Sequence, residues 1–344
     1  MSNPSNGRSL RLLSLDGGGV KGLASLLILK RIFRTLQKVD GRDEIPRPCE
    51  YFDLIGGTST GGLVAIMLGR LRMTIDECIE VFQHVSETVF GNIPGTFSRL
   101  IGGLSGKPFF KAERLEKVVK ELLISRGVDP DTFLKDSEHA RCKVFVCATR
   151  AQTVQPVLFR SYTTWSEGEE NYACHIWEAA RATAAAPLFF EPIKLKISGA
   201  TFVDGAMRLN NPISAVLNEA DALFPDATFK SIISIGTGWT DVAGLAVEQI
   251  TAHNVLKTCI DISINANNEA QAFAKGKRGR DFLENKTYFR FDVERGLDTI
   301  ALEEWKKLDA IDALTEAYLA RPDKGRDLRD CAQSLSYKAS SHIS

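Results

Sequence analysis

RLLSLDGGGVKGL at residues 11–23 and YFDLIGGTSTGGLVAIML at residues 51–68 follow one pattern: an apolar run, clustered glycines, then apolar residues at helical spacing. Residues 11–15 read as a short buried strand, and residues 23–36 carry the helical period. Residues 51–55 read as a second strand, 56–62 as a glycine loop and 63–68 as a helix. Parallel strands need a crossover, and a helix is the usual one. Two strand–loop–helix units in succession therefore predict an α/β fold with a parallel sheet.

The rest of the chain extends that frame. Strands are expected at 143–148, 201–203, 231–235 and 288–292. Helices are expected at 75–89, 112–124, 176–185, 212–222 and 302–319. Residues 91–107 are glycine-rich, break both periods and read as a long loop of the kind used as a lid or binding element. Residues 1–7 read as a disordered start and 321–344 as a polar tail or linker.

Composition removes several classes of function. Lys plus Arg number 43 and Asp plus Glu 43, so no global field exists to hold nucleic acid. The seven cysteines, Cys49, Cys78, Cys142, Cys147, Cys174, Cys259 and Cys331, are scattered and form no CxxC pair. Neither a disulfide framework nor a zinc site is suggested, and reduced thiols in a cytoplasmic protein are expected. The apolar runs are far shorter than the ~20 residues of a membrane span. Peripheral association with a membrane surface remains open.

Residues 57–61, Gly57-Thr58-Ser59-Thr60-Gly61, match G-x-S-x-G between a strand and a helix. The tight turn pushes a serine hydroxyl out of the sheet, and side chains at the flanking positions would collide with strand and helix. The motif arises by chance in roughly one chain in ten of this length, so context must carry it. A turn without chemistry is the plain alternative.

Residues 16–22, Asp16-Gly17-Gly18-Gly19-Val20-Lys21-Gly22, form a rarer pattern. Gly17, Gly18 and Gly19 leave backbone N–H groups bare at a helix start, which suits an oxyanion hole. A dinucleotide loop also fits formally, but its acidic partner would fall near residues 42–44, which read as loop. A P-loop would need G-K-[ST], which is absent.

A hydrolytic serine needs a base. Only five histidines exist, and Ser59, Asp204 and His253 follow one known triad order. His253 lies at a helix start without a turn motif. His84 and His175 fall on helical or pre-helical stretches and read as packing or surface residues. Asp204 sits where the strand at 201–203 meets Gly205, and sites in open α/β sheets lie at such strand ends. An aspartate capping its own turn is the alternative.

Together the three motifs resemble the patatin-like phospholipase family. There D-G-G-G-x-[KR]-G forms the oxyanion hole, G-x-S-x-G carries the nucleophile and D-G-[AG] carries the aspartate of a Ser–Asp dyad. Here these are residues 16–22, 57–61 and 204–206, in the family's order. Residues 180–187 resemble the small-residue helix before D-G-A, and 234–238 the later S-[IL]-G-T-G strand. The resemblance implies a three-layer α/β/α sandwich over residues 8–320. It implies Ser59 and Asp204 as catalytic residues, Gly57 and Gly61 as the nucleophile elbow, and Gly17, Gly18 and Gly19 as the oxyanion hole. It also implies a calcium-independent lipid acyl hydrolase of phospholipase A type, with no cofactor and no metal. A soluble carboxylesterase and a catalytically silent membrane-binding signalling module are the alternatives.

The expected partner is a phospholipid or other acyl lipid at a membrane surface, not nucleic acid. The Gly-Thr-Ser-Thr-Gly-Gly variant also resembles effector domains that precede nucleotide-binding receptors in fungi. A downstream receptor domain or a homo-oligomer would suit the tail at 321–344. Two segments suggest how a membrane is met: the apolar stretch 101–110, ending in Phe109 and Phe110, as a lid, and the basic stretch 275–280 as a patch for anionic lipid.

Overall fold

The computed structural model describes residues 8–91, 108–164, 171–239 and 266–337. In chain order, β1 (Ser9–Leu15) leads into α1 (Gly22–Asp40), and β2 (Leu54–Thr58) into α2 (Thr60–Ala65). Next come α3 (Ile75–Phe90), α4 (Ala112–Ser125), β3 (Lys143–Arg150), β4 (Pro156–Arg160) and α5 (Ile176–Thr183). They are followed by β5 (Ile193–Lys194), β6 (Thr201–Asp204), α6 (Ala206–Leu209), α7 (Ile213–Leu223) and β7 (Thr228–Ile235). The last described elements are α8 (Ala266–Lys275), α9 (Lys277–Glu284), β8 (Tyr288–Phe291), α10 (Leu308–Leu319) and α11 (Pro322–Leu335).

Among the described residues the strands form one sheet of eight. β3, β2, β1, β7 and β8 lie side by side and parallel. β4 and β6 run antiparallel on β3, and β5 pairs β6. Successive strand residues face opposite sides, and β1 divides accordingly. Leu13 and Leu15 join α1, α2, α3, α4, α5, α10 and α11 in the larger core. Leu10 and Leu12 join Ile213, Val216 and Leu217 of α7, with Phe273 of α8 and Phe282 of α9 packed on them. The result is a three-layer α/β/α arrangement around a mostly parallel sheet.

One detail of register sets up the functional site. Val146 and Cys147 of β3 pair with both β2 and β4, and Ala148 and Thr149 pair with both β4 and β6. A strand has only two edges, so β2 and β6 share one, end to end. They run toward each other: Thr58 faces Cys147, and Asp204 faces the next residue, Ala148. The C-terminal ends of two strands 146 positions apart in sequence, at residues 58 and 204, therefore meet.

Several expectations are corrected. The second strand begins at Leu54 rather than residue 51, because Pro48 starts a turn of 3-10 helix and Tyr51 N–H is donated back to Pro48 O at 3.0 Å. It runs on through Gly56 and Gly57, which are strand and not loop. Helix α10 begins at Leu308, not 302, because Leu302 O instead accepts the Val20 N–H at 2.8 Å beside the glycine loop. In the basic stretch 275–280, Lys275, Lys277 and Arg280 are exposed, and Arg278 is tied down. Arg278 makes two hydrogen bonds to Asp221, at 2.7 and 2.8 Å, and lies over Phe229 and Phe282. Phe110 is buried among Phe90, Phe189 and Phe190, so the Phe109–Phe110 end of the expected lid is an anchor in an aromatic cluster. Residues 1–7, 101–107 and 338–344 and His253 lie outside the described residues.

The largest correction is at the C-terminus. Residues 322–335 are not a loose tail but helix α11, packed on α1. Leu328, Cys331, Ala332 and Leu335 are its buried stripe, at the i, i+3, i+4, i+7 spacing of one helix face. Arg11 of β1 fastens the end, donating to Leu335 O at 2.8 Å and lying over the Tyr337 ring. Leu335 is wholly buried. Leu335→Ala is thus expected to lower unfolding stability by about 2–5 kcal/mol, as for other large-to-small core changes. A shift in the urea midpoint no larger than that of an exposed-site substitution would restore the tail reading.

Candidate active site

Ser59 lies between the end of β2 and the start of α2, at φ 54° and ψ −123°. That left-handed backbone is uncommon for any residue with a side chain, and it turns the serine away from both elements. The motif glycines make the turn passable. A Cβ at Gly61 would stand 2.4 Å from Leu15 O, and one at Gly57 2.2 Å from Gly61 O. The turn is held from outside by Thr183 at the end of α5, whose hydroxyl accepts the Ser59 N–H at 2.9 Å.

Where β2 and β6 meet, Ser59 Oγ donates to Asp204 Oδ2 at 2.8 Å. The other carboxylate oxygen accepts the Ala206 N–H at 2.7 Å, which fixes the plane of the group. Asp204 is 1% exposed. Burial raises its pKa to about 7, against the lowering effect of the Ala206 and Ser59 hydrogen bonds. The small residues at 180–187 make this closeness feasible: Ala180, Ala182 and Ala185 are buried, and Ala185 O accepts the Asp204 N–H at 3.0 Å.

The glycine loop closes the third side. Gly17, Gly18 and Gly19 line the same pocket as Ser59 and Asp204, with Asn210, Thr237, Gly238 and Leu302. Their amides are not equivalent. Gly17 N–H is donated to Asn210 O at 3.2 Å, and Gly18 N–H to Thr60 Oγ1 at 3.2 Å. Gly19 has φ +59°, and a Cβ there would stand 2.2 Å from Leu302 O. It starts a short 3-10 turn, and its N–H has no acceptor among the described residues.

From Ser59 a second, apolar pocket opens between α2, α3, α4 and α5. Leu63, Phe82, Val85, Val89, Phe90 and Leu115 line it. Leu63, Phe82, Val85 and Leu115 also line a further apolar pocket reaching Met67 and Val119. The serine thus stands where the glycine-loop cleft, with Asp204 and Asn210 in its lining, meets an apolar channel.

The histidines fall elsewhere. His175 Nδ1 pairs with Glu178 Oε2 at 2.7 Å and its ring stacks on Phe133. His84 and His139 are exposed. Among the described residues no histidine lines the pockets at Ser59, and no group of three or more His, Cys, Asp or Glu could hold a metal ion. Nor is any described helix long and apolar enough to cross a membrane. Sequence reasoning missed Thr60, Thr183, Asn210 and Thr237 as site residues. Thr60, Thr183 and Thr237 stood inside the motifs at 57–61, 180–187 and 234–238, but nothing local marks their hydroxyls as site groups, and Asn210 lies outside all the motifs.

Comparison with known proteins gives the family. The chain is 30% identical over 336 residues to calcium-independent phospholipase A2-gamma of Rattus norvegicus, covering 94% of this chain and 40% of that protein. It is 30% identical over 283 residues to phospholipase A I of Arabidopsis thaliana, covering 67% of this chain and 21% of that protein. The chain thus spans well under half the length of either relative. The solved structure of VipD from Legionella pneumophila aligns with 92% of this chain and 70% of its own, at 11% identity and a TM-score of 0.40. The patatin-like phospholipase family model matches residues 13–217, which contain both strand ends, the glycine loop, Ser59 and Asp204. That match takes in more than half of the 344 residues, and the chain belongs to the patatin-like phospholipase family.

Proposed function

We propose that this chain is a lipid acyl hydrolase of phospholipase A type, with Ser59 as nucleophile and Asp204 as its single catalytic partner. The observation that carries the reading is the 2.8 Å contact from a strained Ser59 to a buried Asp204 at the mouth of an apolar channel. A histidine base is ordinarily preferred because an aspartate near 3.9 is too weak at neutral pH. Burial answers that objection, since it brings Asp204 to about 7.

Ser59 Oγ attacks the ester carbonyl carbon while Asp204 takes its proton. The carbonyl oxygen becomes an oxyanion. We assign its stabilisation first to the Gly19 amide, which has no acceptor among the described residues, and then to that of Gly18, whose acceptor is the rotatable Thr60 hydroxyl; the Gly17 N–H is committed to the Asn210 backbone carbonyl. Gly17 then shapes the loop and does not donate. Collapse of the intermediate breaks the bond to the leaving alcohol, which receives the proton from Asp204. Water then attacks the acyl-enzyme with Asp204 again as base, releasing the fatty acid.

The apolar channel suits a fatty acyl chain, and the cleft, with Asn210 and Thr237 in its lining, suits the glycerol and head-group side. Release of fatty acid from phospholipid vesicles by the purified protein tests the reading. Turnover of soluble short esters alone would indicate a carboxylesterase. Loss of all turnover would indicate a silent binding module. Val85 is half-buried and lines both apolar pockets. Val85→Phe is expected to lower kcat/KM for long-chain relative to butyryl esters by about 10-fold, the scale of one to two methylene-sized clashes in an apolar pocket. An unchanged ratio in the folded variant would remove the channel as the acyl site.

A further inference from the structure

Behind the cleft, and outside the machinery described above, a buried arginine joins the two loops that face Ser59. Arg290 on β8 donates through Nη2 to Asp16 Oδ2 at 2.7 Å and to Asp292 Oδ2 at 2.6 Å. Its Nη1 donates to Ser234 Oγ on β7 at 2.8 Å. Asp16 opens the glycine loop, and its other oxygen is buried with no hydrogen-bond partner among the described residues. Arg290 is therefore the hydrogen-bonding hold on that carboxylate. Asp292 passes the grip to the second loop, because its Oδ1 accepts the Gly238 N–H at 2.7 Å. Thr237, just before Gly238, donates to Gly17 O at 2.8 Å and closes the ring.

We propose that Arg290 is a positioning residue that fixes the glycine loop against the Thr237–Gly238 loop, so that the loop amides are aimed before substrate arrives. Two carboxylates on one cation in a dry site form a strong tie only while both are held. Burial alone would lower the basicity of Arg290, but Asp16 and Asp292 outweigh it and hold the guanidinium charged. Preorganisation of this kind matters because a displacement of about 1 Å at a catalytic group costs up to about 100-fold in rate. A lysine keeps the charge but not the planar fork that reaches three acceptors at once.

This inference rests on Ser59 being the nucleophile, so the test includes a readout free of turnover. Hydrogen exchange would be followed in segments 10–23 and 231–239 of wild type, Arg290→Lys and Asp292→Asn, beside kinetics on a soluble butyryl ester. Asp292→Asn keeps an acceptor for Gly238 while removing its charge from Arg290, and it carries the test if Arg290→Lys does not fold. The expected result is faster exchange in both segments with kcat lower by about 10- to 100-fold and KM within about twofold. Unchanged exchange, or faster exchange with wild-type kcat, overturns the proposal. If wild type hydrolyses no ester, the functional reading fails, and the exchange data alone decide whether the tie exists.

Discussion

Ser59→Ala is expected to lower ester turnover by on the order of 10⁵-fold or more, while leaving the fold and vesicle binding intact. The size follows from losing the covalent route altogether, as in serine hydrolases where removing the nucleophile alone costs nearly as much as removing the whole catalytic set. Among the described residues the hydroxyl makes one hydrogen bond, to Asp204, so its deletion removes little packing. It also releases nothing from the turn, since the Ser59 N–H bond to Thr183 is made by the backbone. The informative partner experiment is His253→Ala, a residue outside the described ones that the Ser–Asp–His order would recruit. A dyad predicts that His253→Ala keeps most of the wild-type rate. Equal inactivity of the two folded variants would replace the dyad by a triad.

Much of this site was legible in the sequence because its chemistry is local to strand ends. Ser59 follows β2, Asp204 ends β6 and the three glycines follow β1 after Asp16, and the register of β2 and β6 on β3 brings Ser59 and Asp204 together. What stayed hidden is long-range. Arg290 touches Asp16 across 274 positions, and no motif surrounds it. The division of labour among Gly17, Gly18 and Gly19 depends on where Asn210 and Thr60 point, which is a tertiary fact. β4 was missed because it begins with proline and is a half-exposed edge strand, so it lacks the continuous apolar run of the buried strands. Helix α11 is a different failure: its stripe at 328, 331, 332 and 335 was present in the sequence, but the charged residues between those positions masked it.

Asp204→Asn is expected to lose about 10⁴-fold in turnover and to gain folding stability above neutral pH. The first effect follows because an amide accepts no proton from Ser59, and a positioned general base contributes up to about 10⁴-fold. The second follows from linkage. Asp204 has a folded-state pKa of about 7 against a model value of 3.8, because burial disfavours its charge. Below about pH 4 it is protonated folded or unfolded and contributes nothing. As pH rises from about 4 to 7 the unfolded chain releases its proton while the folded one keeps it, so stability falls. Above about pH 7 the loss is complete and constant. Each pKa unit is about 1.4 kcal/mol, so the full cost approaches about 4 kcal/mol. Asparagine is close to isosteric, can accept from the Ala206 N–H and carries no charge to bury. Urea unfolding of wild type and Asp204→Asn from pH 4 to 9 should therefore show a gap that opens through pH 7 and then stays flat. Asp16, also raised to about 7 by burial, is common to both proteins and cancels in the difference. Catalysis by wild type should rise over the same window, as the carboxylate form of Asp204 appears. A stability gap that does not vary with pH would mean that Asp204 is already ionised near pH 4, and it would then be too weak a base for the role proposed. A gap opening together with the rise in rate would tie both to one carboxylate, whose burial lowers stability and supplies the basicity that the reaction needs.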